Sequence, residues 1–252
     1  GNITNSISTQ AKQFNIEADD VHVVSTGGSN HGILYGSGGC SNSIIKNSSV
    51  CGYNNVGGMA GSNNVYEGSK VNVENCDISG NQYVGGIFGT GGRIIDNSIV
   101  SNSTISGNNS SSLYVGGMAG YIANEVRNSG IYHSTITNLG DYTGGLGGYA
   151  NAANMLRNAI QDCIVSGNNY VGGVIGSNVS NMHLRTIRNN TIQATINATG
   201  SGAGGIIGYY QNNYIDTIGS GLYSIYSNLI ENSSISASYN AGGLIGQVDA
   251  MK

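Results

Sequence analysis

The sequence has no proline, no tryptophan and only 2 phenylalanines, and just 9% of its residues are charged. Each shortage excludes something. A chain with 42 glycines in 252 residues invites comparison with collagen, but proline is absent and glycine does not fall at every third position. Disordered chains combine low hydrophobicity with high net charge. Here 38% of the residues are hydrophobic and the net charge is −4. No apolar run approaches the ~20 residues needed for a helix to cross a bilayer, so no transmembrane segment is expected. The 9 basic residues do not cluster, which excludes a surface for phosphate neutralisation and makes nucleic acid an unexpected partner.

Chemistry-bearing residues are scarce too. The four cysteines (Cys40, Cys51, Cys76, Cys163) contain no Cys-x-x-Cys pair, and the histidines (His22, His31, His133, His183) are dispersed, so neither a metal nor a cofactor is expected. There is no His-Glu-x-x-His segment, and no Gly-x-Ser-x-Gly elbow with a companion histidine and acid. No catalytic residue is predicted. The chain opens at Gly1 without an initiator methionine or an apolar leader, which suggests a mature chain or a piece of a longer one.

What the sequence does contain is a repeat. Gly-Gly-x-x-Gly occurs at Gly57–Gly61, Gly85–Gly89, Gly116–Gly120, Gly144–Gly148, Gly172–Gly176, Gly204–Gly208 and Gly242–Gly246, with a degenerate copy at Gly32–Gly36. The spacings of the leading glycines are 25, 28, 31, 28, 28, 32 and 38 residues, a period of 28 with insertions. A second pattern, aliphatic–charged–Asn–small, places Asn47, Asn75, Asn97, Asn128, Asn158, Asn189 and Asn232 in one expected asparagine ladder. An apolar residue follows three positions later in most copies, as at Val50, Ile78, Val100 and Ile131.

Each repeat thus holds three apolar segments too short for helices and of strand length. A unit this small cannot bury its apolar face alone, whereas units stacked in register share one core. The predicted fold is all-β: a single-stranded, right-handed parallel β-helix (β-solenoid) of about eight coils of ~28 residues, with three short strands per coil. Residues 32–252 form the repeat domain, and residues 1–31 an irregular first coil or lead-in. The absence of proline follows, because every interior strand needs its N–H for the ladder between coils.

The Val-Gly-Gly-x-x-Gly copies, together with the Asn-x-x-Ile and Ile-Ser-Gly-Asn elements, resemble the GLUG-type repeats of large bacterial exoproteins. These occur in adhesins and in the non-catalytic region of IgA-cleaving metallopeptidases. The resemblance covers about residues 30–247. It implies a secreted or cell-surface location and a structural or adhesive role without enzymatic activity. The expected partner is a host or surface glycan or protein, or the chain itself, associating end to end or laterally as a filament subunit.

Two candidate binding stripes stand out. Tyr83, Tyr114, Tyr142 and Tyr170 each lie two residues before a leading glycine, and period-two alternation sends them outward as a stripe of rings in register, either a stabilising ladder of stacked rings or a platform for sugar rings or a partner surface. Arg127, Arg157 and Arg188 occupy the charged place of successive repeats, as an exposed self-solvating stripe or as a site for an anionic polymer. The inserted loops around 108–113, 178–183 and 211–223 are candidate contact regions. The competing enzymatic reading, a carbohydrate-active β-helix, rests on Glu74 and Asp96, expected to stack in consecutive coils at the separation glycoside hydrolysis requires. Cys76 and Cys163 are expected to share a column as small core fillers, three coils apart. Cys40 and Cys51 are near enough in sequence to pair.

Overall fold

The computed structural model describes residues 12–63, 68–91, 94–151, 153–180, 186–212 and 224–250. Every regular element among them is a β-strand, and all the strand pairs are parallel. The strands form three sheets running the length of a β-solenoid, so each coil has three walls. Two of the sheets have eight strands, one from each coil. The third wall is longer and is cut into short segments. In the coil that begins at Gln82, the first two walls are Gln82–Gly85 and Phe88–Gly91, and the third is built from Ile94–Asp96, Ile99–Ser101 and Thr104–Gly107.

The segmentation follows from a five-residue unit used twice. Ile95-Asp96-Asn97-Ser98 and Val100-Ser101-Asn102-Ser103 have the same order: apolar inward, polar outward, a corner, then a small residue inward. Asn97 and Asn102 both take left-handed backbone, with φ of 48° and 49°. Asparagine tolerates that region far better than most residues do. The inward residues Ile95, Val100 and Ile105 are at most 2% exposed.

The seven asparagines expected to form one ladder therefore fall into three columns. Asn97, Asn128 and Asn189 stand at the first corner. Asn47, Asn75 and Asn232 stand at the second, where Asn75 donates to Asn47 Oδ1 at 3.3 Å. Asn158 belongs to neither, because it points inward. The two corners carry the same local pattern, so spacing to the glycine motif alone merges them.

Asn158 belongs to a buried polar column that includes Ser43, Ser98, Ser129 and Asn190. The backbone N–H of Ser98 donates to Ser129 Oγ, that of Ser129 to Asn158 Oδ1, and that of Asn158 to Asn190 Oδ1, at 2.9–3.1 Å. A parallel column contains Ser48, Cys76, Ser103, Ser134 and Cys163. Cys76 N–H donates to Ser103 Oγ and Ser103 N–H to Ser134 Oγ, both at 3.1 Å. Small side chains thus satisfy the amides that the corners tilt away from the main ladder. Cys76 and Cys163 share this column as expected and are buried and free; Cys51 is also free, and exposed, while the side chain of Cys40 lies outside those described.

Steric fit explains the glycine motif. A Cβ on Gly145, the second glycine of its copy, would strike the carbonyl oxygen of Gly173 in the next coil. A Cβ on Gly148, the third glycine, would strike the backbone of Tyr114 in the preceding coil. Residues 12–24 already follow this architecture. Lys12–Phe14, Glu17–Asp19 and His22–Val24 pair in register with the third wall of the next coil.

Candidate functional site

The strand register brings Tyr83, Tyr114, Tyr142 and Tyr170 into one column. Their rings stack at centroid separations of 5.2, 5.1 and 5.3 Å, with interplanar angles of 20°, 15° and 15°. The column is a corner and not an alternating strand position. These tyrosines have φ of 52°, 64°, 65° and 60°, in line with Asn30, Asn55 and Gly202, at 69°, 50° and 77°. Left-handed backbone is costly for a bulky side chain, by roughly 1–3 kcal/mol, and ring stacking compensates within the array.

The corner turns the rings so that they lie half-buried, each face covered by the next ring. An open platform of four aromatic faces is therefore not formed: the column presents ring edges and hydroxyl groups.

A second row lies beside the first. Tyr121, Tyr149 and Tyr209 each directly follow the third glycine of a motif copy, and they occupy one outward column of the adjacent sheet, with Ser177 between Tyr149 and Tyr209. Tyr121 and Tyr149 stack at 5.5 Å. Across the rows, Tyr83 meets Tyr121 edge-on at 6.3 Å, Tyr114 meets Tyr149 at 5.2 Å and Tyr170 meets Tyr209 at 4.6 Å. Tyr209 also donates its hydroxyl to Asp249 Oδ2 at 2.8 Å. The result is a seven-ring double row.

Burial raises the phenols of Tyr83, Tyr142, Tyr149 and Tyr170 above their ordinary range and pushes Tyr114 up to about 12. Tyr209 is raised by burial and then by its bond to the Asp249 carboxylate. All six are neutral hydrogen-bonding hydroxyls at physiological pH.

At one end, both rows stop over the same depression. The register neighbour of Tyr83 on that side is Asn55, and that of Tyr121 is Thr90. The depression, about 470 Å³, is lined by Asn30, Asn55, Ser62, Tyr83, Thr90 and Tyr121. Asn55 Nδ2 donates to Asn30 Oδ1 at 2.8 Å, and Thr90 Oγ1 donates to Ser62 Oγ at 3.1 Å. Among the described residues, none that lines it is charged.

The arginines do not form a stripe. Arg127 and Arg188 share a column in which Leu156 stands between them, while Arg157 occupies the neighbouring corner, at φ 55°. Arg127 is held by Asp96 at 3.1 Å and Glu125 at 2.8 Å. Arg157 Nε donates to Asn128 Oδ1 at 2.8 Å, and Arg188 Nη1 to the Tyr226 hydroxyl at 2.9 Å. Glu74 and Asp96 are likewise not stacked. Glu74 pairs with Ser101, and Asp96 with Ser69 and Arg127. Burial alone would raise the Asp96 carboxyl, but hydrogen bonds from Arg127 and Asn128 and the arginine's charge outweigh it and hold the group below its ordinary range. The same duplicated corner that divides the asparagines separates these charges.

Of the inserted loops, 108–113 is described and closes on itself. Ser111 N–H donates to Asn109 Oδ1 at 2.9 Å, and Asn109 N–H to Ser112 Oγ at 3.0 Å. Residues 181–185 and 213–223 of the other two, His183 among them, lie outside the described residues.

No family model matches the chain, and no curated protein does. Among solved structures, it is similar to a crystal structure described as a putative immunoglobulin A1 protease from Bacteroides ovatus. The TM-score is 0.55 at 14% identity, and the match covers 89% of this chain and 79% of that one. A likeness at that identity is one of fold, and it agrees with the β-solenoid.

Proposed function

We propose that this chain is a non-enzymatic β-solenoid of the cell surface or extracellular space, with GLUG-type repeats and a structural or adhesive role. Its contact surface is the tyrosine double row, and its partner a surface glycan or glycoprotein. The observation that carries the reading is the row itself. Seven rings are held in register on one side, four of them at the expense of left-handed backbone. Half-buried aromatic rings tipped with neutral hydroxyls combine apolar area with hydrogen bonding at little conformational cost, a composition favoured at recognition surfaces. The Bacteroides ovatus neighbour supports the scaffold and lends no activity.

The test uses the recombinant chain on an array of neutral and acidic glycans and glycoproteins, beside a Tyr114→Phe/Tyr142→Phe variant that keeps the stack and removes two hydroxyls. Binding by the parent chain, weakened about tenfold in the variant and unaccompanied by bond cleavage, is the expected result. Cleavage of a bound polysaccharide, or no binding to any member of the array, would overturn the reading.

A further inference from the structure

Stacking consumes aromatic faces, so an extended array has free faces only where it stops. The two rows stop at the same end. Tyr83 has Tyr114 on one face and Asn55 as register neighbour on the other; Tyr121 has Tyr149 on one face and Thr90 on the other. The planes of Tyr83 and Tyr121 stand at 90°, one ring edge-on to the other, and both rings border one depression. Its remaining lining is amide and hydroxyl: Asn30, Asn55, Ser62 and Thr90.

We propose that this depression is a binding subsite for one residue of a neutral saccharide. The proposal rests on the adhesive reading above and names its ligand class.

The argument is chemical. A pyranose ring has an apolar C–H face that packs against an aromatic face and a rim of hydroxyls, each both donor and acceptor. Asparagine amides supply two donors and an acceptor, and serine and threonine hydroxyls supply both functions, so the rim is matched in kind. Among the described residues, no charged side chain lines the depression to select a uronate, sulfate or amine. The depression, about 470 Å³, is shallow and open to solvent, which suits a single sugar ring of a longer chain. The opposite end of the rows lacks these features. There Tyr209 is engaged by Asp249, and the tyrosine corner passes to Gly202.

The experiment is saturation-transfer NMR and calorimetry on the full chain with neutral gluco-, galacto- and N-acetylglucosamine oligosaccharides, and with an oligogalacturonate as the acidic comparison. Asn55→Gly retains the left-handed corner, since glycine adopts it freely, and removes the amide. Thr90→Val removes the hydroxyl without changing the shape of the side chain. A neutral oligosaccharide should bind the parent chain, and either variant should weaken it about tenfold, with Tyr239→Phe, at an exposed tyrosine outside both rows, unchanged. The subsite is overturned if the acidic sugar binds better, if the variants bind like the parent, or if no neutral oligosaccharide binds. Array binding that survives in Asn55→Gly and Thr90→Val but is lost in Tyr114→Phe/Tyr142→Phe would overturn the subsite and leave the adhesive reading standing. Loss of array binding by the parent chain removes both.

Discussion

Two glycines in the same slot of the repeat should respond differently to alanine. At Gly145 the new methyl carbon would meet the Gly173 carbonyl oxygen at an impossible distance and lie 3.1 Å from Ile160 Cγ1. The obstacle is backbone, held in the ladder by Gly173 N–H to Gly204 O at 3.0 Å, and Gly145 itself is held by its N–H to Gly172 O and by Gly117 N–H to its carbonyl, both at 3.1 Å. Overpacking of this kind costs about 1–3 kcal/mol, and each weakened ladder bond up to about 1 kcal/mol more, giving about 3 kcal/mol in all. Gly243 is the equivalent glycine of the last copy, where a methyl carbon meets nothing within 4 Å and φ lies outside the left-handed region. Alanine there should be neutral or should stabilise by about 0.4–1 kcal/mol through the unfolded chain.

Because a stacked array loosens locally as well as globally, the assay is hydrogen exchange by peptide mass spectrometry together with thermal melting. Gly145→Ala should speed exchange in the coils on either side and lower the melting temperature by about 6–12 °C, at ~2–4 °C per kcal/mol for a chain of this size. Gly243→Ala should do neither. Equal loss at both positions would show that backbone freedom, and not the neighbouring coil, demands glycine.

The tyrosine rows give an alkaline signature. Folding raises these phenols above about 10, so the neutral form stabilises the fold fully below that value. The contribution disappears as pH climbs towards about 12, where Tyr114 ionises. Phenolate absorbance should therefore rise in two stages, the later one coinciding with loss of the β-sheet circular dichroism signal. Asp96 behaves in the opposite sense. Its depressed carboxyl contributes above the ordinary carboxylate range and loses that contribution on acidification, so Arg127→Gln should be less stable than the parent at neutral pH, with the difference shrinking in acid melts. Asn158→Ala removes donation to Val126 O at 2.9 Å and to Asn190 Oδ1 at 3.0 Å, and strands Ser129 N–H; denaturant titration should register about 2 kcal/mol. A thiol reagent at neutral pH should label Cys51 in the native chain and reach Cys163 only on unfolding, because burial pushes that thiol up to about 11.

The stacking of coils was legible in the sequence because glycine recurs where the backbones of interior coils approach closely, so its period survives the insertions. The tyrosine register was legible for the same reason, being anchored two residues from that glycine. The asparagine and arginine columns were not. Their anchor was a local pattern, and the third wall uses that pattern twice, five residues apart. Ring orientation was hidden too, because alternation governs strands and these tyrosines sit at a corner. A signal for the corner was present in Asn30, Asn55 and Gly202, residues that accept left-handed backbone, at the same place in neighbouring coils. The second row could have been found from Tyr121, Tyr149 and Tyr209, each directly after a third glycine.

The bonds between coils also determine how the molecule meets force. Each coil is fastened to the next along three walls and two internal side-chain columns, but to coils farther away by almost nothing. Pulled by its last strand, such a rod peels like tape and does not snap, and tension never reaches an interior coil until its neighbour has left. Every detachment frees one turn of chain, about 28 residues at roughly 3.3–3.6 Å each. The force record should be a row of similar teeth. The interruption should fall where Asp162 bulges from the third wall without a partner in the following coil, a link already one bond short.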